Sequence, residues 1–110
     1  MDSNTDLEKL TAEYYASFPK KKDQLEEAFR LILQNDWDKK SLITLKLLTH
    51  KLSGSTGLYG FTKLSDLIQS MEKAIDRFKS RDGEKEVISK IFSEVVAQFD
   101  HEIAARELWF

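Results

Sequence analysis

The sequence contains no cysteine, one proline and only four glycines among 110 residues. Without cysteine the chain forms neither disulfides nor thiolate metal sites, which fits a reducing compartment, and we expect a cytoplasmic protein. No apolar run approaches the roughly 20 residues that span a bilayer, and the polar, acidic N-terminus is unlike a signal peptide. The formal net charge is −2 and no segment concentrates basic charge, so we expect neither a nucleic acid nor a membrane as partner.

Hydrophobic residues make up 41% of the chain and charged residues 33%, which suits one buried core beneath a hydrated surface. The length is that of one ordinary domain, and we assign residues 1–110 to it, with a core over residues 7–104. Apolar residues recur at helical spacing in five segments. Because the connections between these segments are short, successive helices should pack antiparallel. The sequence therefore predicts an all-α fold: an antiparallel up-and-down four-helix bundle with an additional short N-terminal helix.

The predicted third helix, from about Asp38 to Leu58, contains the unusual stretch THKLSGSTGLYG. On a helical wheel at about 100° per residue, His50 lies about 140° from Leu45, the centre of the core stripe, and so faces out of the core. Each helical glycine costs about 1 kcal/mol relative to alanine. We therefore expect Gly54 and Gly57 to leave the imidazole open to a large partner, although they could instead let a neighbouring helix approach closely. The same outer face carries Ile43, Lys46, Leu47 and Ser53.

Ile43 and Leu47 are apolar residues on this outward face, which is typical of a partner-docking surface. The alternative is that the N-terminal helix covers them. Lys39, about three turns before His50, and Lys51, next to it, are candidates for contacts with the acidic rim of a partner.

The alternative for His50 is an ordinary polar residue on the surface of a helix. A general base is disfavoured because no Asp or Glu lies three or four residues away, although the sequence leaves open a carboxylate from another helix. A metal site is disfavoured too. The second histidine, His101, belongs to the fifth helix and lacks ligand-like spacing.

The segment THKLSGSTGLYGF resembles the signature of histidine-containing phosphotransfer (HPt) domains. In that signature a histidine is followed by an aliphatic residue two on, a glycine four on, a small residue five on and a glycine ten on. The corresponding residues here are His50, Leu52, Gly54, Ser55 and Gly60. The resemblance extends from about Leu7 to His101 and includes the Asn-Asp-Trp turn before the histidine helix.

This resemblance implies a phosphoryl carrier without kinase or phosphatase activity of its own. Nε2 of His50 would accept a phosphoryl group from the aspartate of one response-regulator receiver domain and pass it to another, in a two-component multistep phosphorelay. The implied partners are receiver domains and/or a hybrid sensor histidine kinase. We expect no cofactor on this chain, since Mg²⁺ belongs to the receiver, and we expect a monomer. The competing interpretation is a docking module that binds or sequesters a receiver domain and transfers phosphate poorly.

One position departs from the HPt pattern. The family usually carries a lysine three residues after the histidine, thought to balance the phosphoryl charge, and this chain has Ser53 there. Our hypothesis is that Lys46, four residues before His50 on the same face, partly substitutes for it, and that Ser53 donates a hydrogen bond. Gly54 and Gly57 complete the predicted surroundings of the phosphoryl group.

Overall fold

The computed structural model describes residues 3–109, and the side chains of residues 6–108. Five α-helices follow one another: α1 Ser3–Ala16, α2 Phe18–Gln34, α3 Lys39–Leu58, α4 Thr62–Asp76 and α5 Asp82–Trp109. Within residues 3–109 there is no strand, and no helix there combines the length and apolar character needed to cross a membrane. The predicted all-α class is confirmed.

The start of α3 follows from local chemistry. The chain leaves α2 through a tight turn in which Asp36 and Trp37 have positive φ angles. Asp38 then caps the helix, because its side chain accepts a hydrogen bond of 3.1 Å from the Ser41 amide. Such a cap satisfies one of the amides that the first helical turn leaves without a partner. The predicted boundary of α3 is thus correct to one residue.

The turn between α3 and α4 depends on Gly60, whose φ of +87° lies in a region that glycine adopts without steric cost. The Phe61 amide then bonds back to the Thr56 carbonyl at 2.9 Å, which closes the turn. Phe61 occupies the N-cap position of α4, and Thr62 is already helical. The Phe61 ring is packed in an aromatic cluster with Phe18.

Helices α2, α3, α4 and α5 form a four-helix bundle in which each packs against the next and α5 closes the ring on α2. The most extensive contact is between α3 and α4. Burial of each large apolar side chain contributes about 1.5–3 kcal/mol. The fully buried core residues from the four helices include Phe18, Leu25, Ile32, Leu45, Leu64, Ile68, Met71, Ile88, Val95 and Phe99.

Helix α1 lies outside this ring, as predicted, and packs over the C-terminal end of α3. The Tyr14 ring stacks on Tyr59 with centroids 4.3 Å apart, and its hydroxyl is 2.5 Å from Ser55 Oγ. Tyr15 donates a hydrogen bond to the Glu102 carbonyl on α5. These contacts fix α1 at the end of α3 that is distant from Ile43.

Candidate functional site

His50 projects from the middle of α3 into solvent. Its side chain is 77% exposed, whereas Thr49 and Leu52 beside it in the sequence are buried. The outward orientation predicted from the helical wheel is confirmed. An imidazole in this position is accessible to a partner protein while its backbone is held in a packed helix.

A carboxylate from the neighbouring helix contacts the ring. Nδ1 of His50 is 2.9 Å from Oε1 of Glu72 on α4, and the Glu72 side chain is only 19% exposed. An ionised carboxylate only accepts hydrogen bonds, so we assign the proton to Nδ1. In the neutral ring Nε2 then carries the free lone pair. Sequence reasoning did not find Glu72, which is 22 residues away in the chain.

A second pair lies beside the first. Lys46 Nζ is 2.5 Å from Asp76 Oδ1. Lys46 precedes His50 by one turn of α3, and Asp76 follows Glu72 by one turn of the antiparallel α4. The hydrogen bond and charge of Asp76 raise the pKa of Lys46, and the charge of Glu72 adds a smaller contribution in the same direction. The ammonium group of Lys46 is therefore paired with Asp76 in this structure.

Ser53 does not lie on the outer face. The residue is 8% exposed, because α4 packs over this flank of α3 and Ser65 Oγ donates to the Ser53 carbonyl at 2.9 Å. The Ser53 hydroxyl donates to the His50 carbonyl at 3.0 Å. The predicted placement of Ser53 beside the open ring is thus wrong. A wheel gives the angle from the core centre, but it does not show which flank a neighbouring helix covers.

The two helical glycines have different surroundings. A Cβ added at Gly54 would meet no atom within 4 Å, which agrees with the prediction of open space near His50. A Cβ added at Gly57 would lie 3.1 Å from Ser65 Oγ. Gly57 therefore fits the alternative interpretation, in which a glycine lets a neighbouring helix approach closely.

The apolar residues of the predicted docking surface are open. Ile43 is 46% exposed and Leu47 is 66% exposed, so α1 does not cover them. Lys39 and Lys51 are exposed as well. We call these four residues of α3 the docking surface, because docking is the role that the sequence predicts for them.

His101 is exposed on α5 and borders a shallow surface groove with Lys63 and Glu94. Among the residues that the structure describes, no group of three or more His, Cys, Asp or Glu side chains is placed to hold a metal ion.

A family model described as Hpt domain matches residues 4–107, nearly the whole chain. The chain therefore belongs to the HPt domain family. Searches of curated proteins and of solved structures gave no significant match. Membership gives the chain a histidine phosphotransfer role in two-component phosphorelays, in contact with receiver domains or kinases. Proteins of this family are phosphoryl carriers rather than kinases or phosphatases.

Proposed function

We propose that this protein relays a phosphoryl group between the aspartates of response-regulator receiver domains, with His50 as the phosphoacceptor. The observation that carries the proposal is an imidazole 77% exposed on a packed helix, with Nδ1 bound to Glu72. That arrangement leaves Nε2 as the nucleophile. The match of His50 to the histidine of the HPt signature supports the same assignment.

The chemistry needs little beyond a positioned ring. The Nε2 lone pair attacks phosphorus, the Nε2–P bond forms, and the P–O bond to the receiver aspartate breaks with its electron pair returning to the carboxylate. Phosphoryl transfer depends mainly on positioning and on charge neutralisation. The receiver supplies Mg²⁺ and its own polar residues, whereas this chain supplies a ring fixed by α3 and by Glu72. The reverse sequence delivers the group to the next receiver.

We propose that the receiver domain binds at the docking surface. Ile43 and Leu47 offer an exposed apolar patch within two turns of His50, and such patches on a small domain mark interaction sites. Lys39 places positive charge at one end of it, and Lys51 adds positive charge beside His50 on the flank towards α2. A receiver presents its phosphorylated aspartate from an acidic site, so attraction between unlike charges would favour the productive orientation.

Lys46 is the proposed cation for the phosphoryl group, in place of the lysine that the family usually carries at the position of Ser53. To act in this way it exchanges Asp76 for the phosphoryl oxygens, which a side chain with several rotatable bonds can do. Ser53 is better explained as part of the α3–α4 contact, because its hydroxyl is bonded to the His50 carbonyl.

The alternative is a docking module that binds or sequesters a receiver domain and transfers phosphate poorly. Two observations favour it: Ser53 is buried where the family has a lysine, and Lys46 is paired with Asp76. The His50 ring with its Glu72 partner favours active transfer.

A transfer assay decides between the two. A panel of receiver domains phosphorylated on aspartate is mixed with the protein and Mg²⁺, and acid-labile, base-stable label is sought on the protein. Active transfer predicts label that disappears in His50→Gln and persists in His101→Gln, the matched control at the other histidine. Binding of a receiver without label from any of the panel would support the docking-only alternative.

A further inference from the structure

The contact between Glu72 and Nδ1 bears on the step in which His50 gives the phosphoryl group away. A ring phosphorylated on Nε2 has two protonation states. If Nδ1 keeps its proton, the ring departs as neutral imidazole when the Nε2–P bond breaks. If Nδ1 has lost it, the ring must depart as an imidazolate anion, which is a far poorer leaving group. The acid lability of phosphohistidine has the same origin.

The position of Glu72 is fixed from both sides along the α3–α4 contact. On one side the Lys46–Asp76 pair joins the two helices. On the other side Ser65 bonds to the Ser53 carbonyl. The Glu72 carboxylate, 2.9 Å from Nδ1 and largely buried, therefore stays beside the ring without needing a partner protein to place it.

Among the charged groups near the ring, Glu72 is the one in contact with Nδ1. On α4, Asp76 is the other nearby carboxylate, and it is paired with Lys46, whose ammonium also interacts with the charge of Glu72. On α3, Lys51 follows His50 but lies on the flank towards α2. There the pKa of Lys21 is lowered mainly by its own burial and, to a smaller extent, by the charge of Lys51. The carboxylate in contact with Nδ1 is thus the group best placed to stabilise a positively charged ring.

We propose that Glu72 holds the proton on Nδ1 while His50 carries the phosphoryl group, and so keeps His50 a competent phosphoryl donor at neutral and mildly alkaline pH. The inference rests on the proposed function of His50. In the donor step the Nε2–P bond breaks, its electron pair returns to Nε2, and the acceptor oxygen takes the phosphorus. The proton stays on Nδ1, which donates a hydrogen bond to Glu72, so the ring neither gains nor loses a proton during the cycle. Glu72 acts here as a positioning residue, through His50.

The size of the effect follows from the kind of pair involved. A partly exposed ion pair changes a protonation equilibrium about two- to fivefold. Above neutral pH the rate of phosphoryl loss is proportional to the fraction of rings that keep the Nδ1 proton. Glu72→Gln retains the shape and a hydrogen-bond acceptor but removes the charge. We therefore expect Glu72→Gln to lose its phosphoryl group about two- to fivefold more slowly than the wild type at alkaline pH. The rates of the two proteins should converge as the pH falls.

The experiment uses phosphoramidate as a small-molecule donor, so that no receiver domain is needed. The Nε2–P bond forms as the P–N bond of phosphoramidate breaks and ammonia leaves. After the donor is removed, loss of the phosphoryl group to water is followed by ³¹P NMR from about pH 6 to about pH 9 in the wild type, Glu72→Gln and Glu72→Ala. Asp66→Asn, which removes an exposed carboxylate elsewhere on α4, is the matched control.

Slower loss at alkaline pH in both Glu72 variants, with Asp66→Asn following the wild type, would support the inference. Identical pH profiles for the wild type and Glu72→Gln would overturn it and leave His50 as phosphoacceptor intact. Uptake that persists in His50→Gln would instead overturn the proposed function of His50 as the phosphoacceptor.

Discussion

The close approach of α3 and α4 at Gly57 gives a prediction with a definite magnitude. In Gly57→Ala the new Cβ would lie 3.1 Å from Ser65 Oγ. That hydroxyl is buried, donates to the Ser53 carbonyl at 2.9 Å and accepts from Gln69 Nε2 at 3.3 Å. It cannot retreat without weakening these bonds, which costs about 1–3 kcal/mol in a buried setting.

The higher helix propensity of alanine offsets about 1 kcal/mol of this cost. We expect Gly57→Ala to range from neutral to about 2 kcal/mol less stable than the wild type. Gly54→Ala is the matched control, because its Cβ meets nothing within 4 Å and keeps the whole propensity gain of about 1 kcal/mol. The two variants should therefore differ by about 1–3 kcal/mol.

Urea denaturation followed by circular dichroism measures this difference. The Ser65→Ala background tests its cause, because the atom nearest the new Cβ is then the residue 65 Cβ at 3.8 Å, an ordinary contact. In the Ser65→Ala background, Gly57→Ala should increase the free energy of unfolding. Equal stability of the two glycine variants, or no rescue by Ser65→Ala, would refute the close-approach explanation of Gly57.

Three further predictions concern α1, the docking surface and the charge beside His50. Burial raises the pKa of Tyr14, so the contribution of this side chain to stability is complete below about pH 10, the ordinary tyrosine value, and is lost as the pH rises through the folded-state pKa. Tyr14→Phe should therefore lose stability less steeply than the wild type at alkaline pH, as measured by circular dichroism. An unchanged slope would contradict this. Leu47→Glu should leave the unfolding midpoint nearly unchanged but weaken receiver binding by calorimetry about tenfold, the order expected for an apolar anchor; undiminished affinity would place the receiver elsewhere. Lys46→Ala should slow transfer and shorten the lifetime of phosphohistidine, and unaltered values for both would exclude Lys46 as the cation of the phosphoryl group.

The parts of the fold that local chemistry determines could be predicted from the sequence. Asp38 caps α3 because its side chain reaches the amide three residues on, and Gly60 ends the following turn because of its backbone freedom. The outward direction of His50 follows from the 3.6-residue period alone. Each of these features depends on residues within one or two turns of the chain.

The partners of His50 could not be predicted in the same way, because they depend on how α4 is rotated against α3. Glu72 reaches the ring only in this rotation, and the same rotation buries Ser53, which the wheel had placed outside. One signal was present in the sequence. Lys46 and His50 are four residues apart, and so are Glu72 and Asp76. In two antiparallel helices this spacing aligns each basic or imidazole side chain with a carboxylate.

The pairing of α3 with α4 has a consequence for protein engineering. A chimera that received only α3 would carry the histidine but would lack the carboxylate that determines its tautomer. The smallest portable unit is the helical hairpin of residues 39–76, which contains both partners, the Gly60 turn and the Ser65 contact. Exchange of this hairpin between HPt domains should carry the reactivity of the ring with it, while the remaining helices supply the support on which it rests.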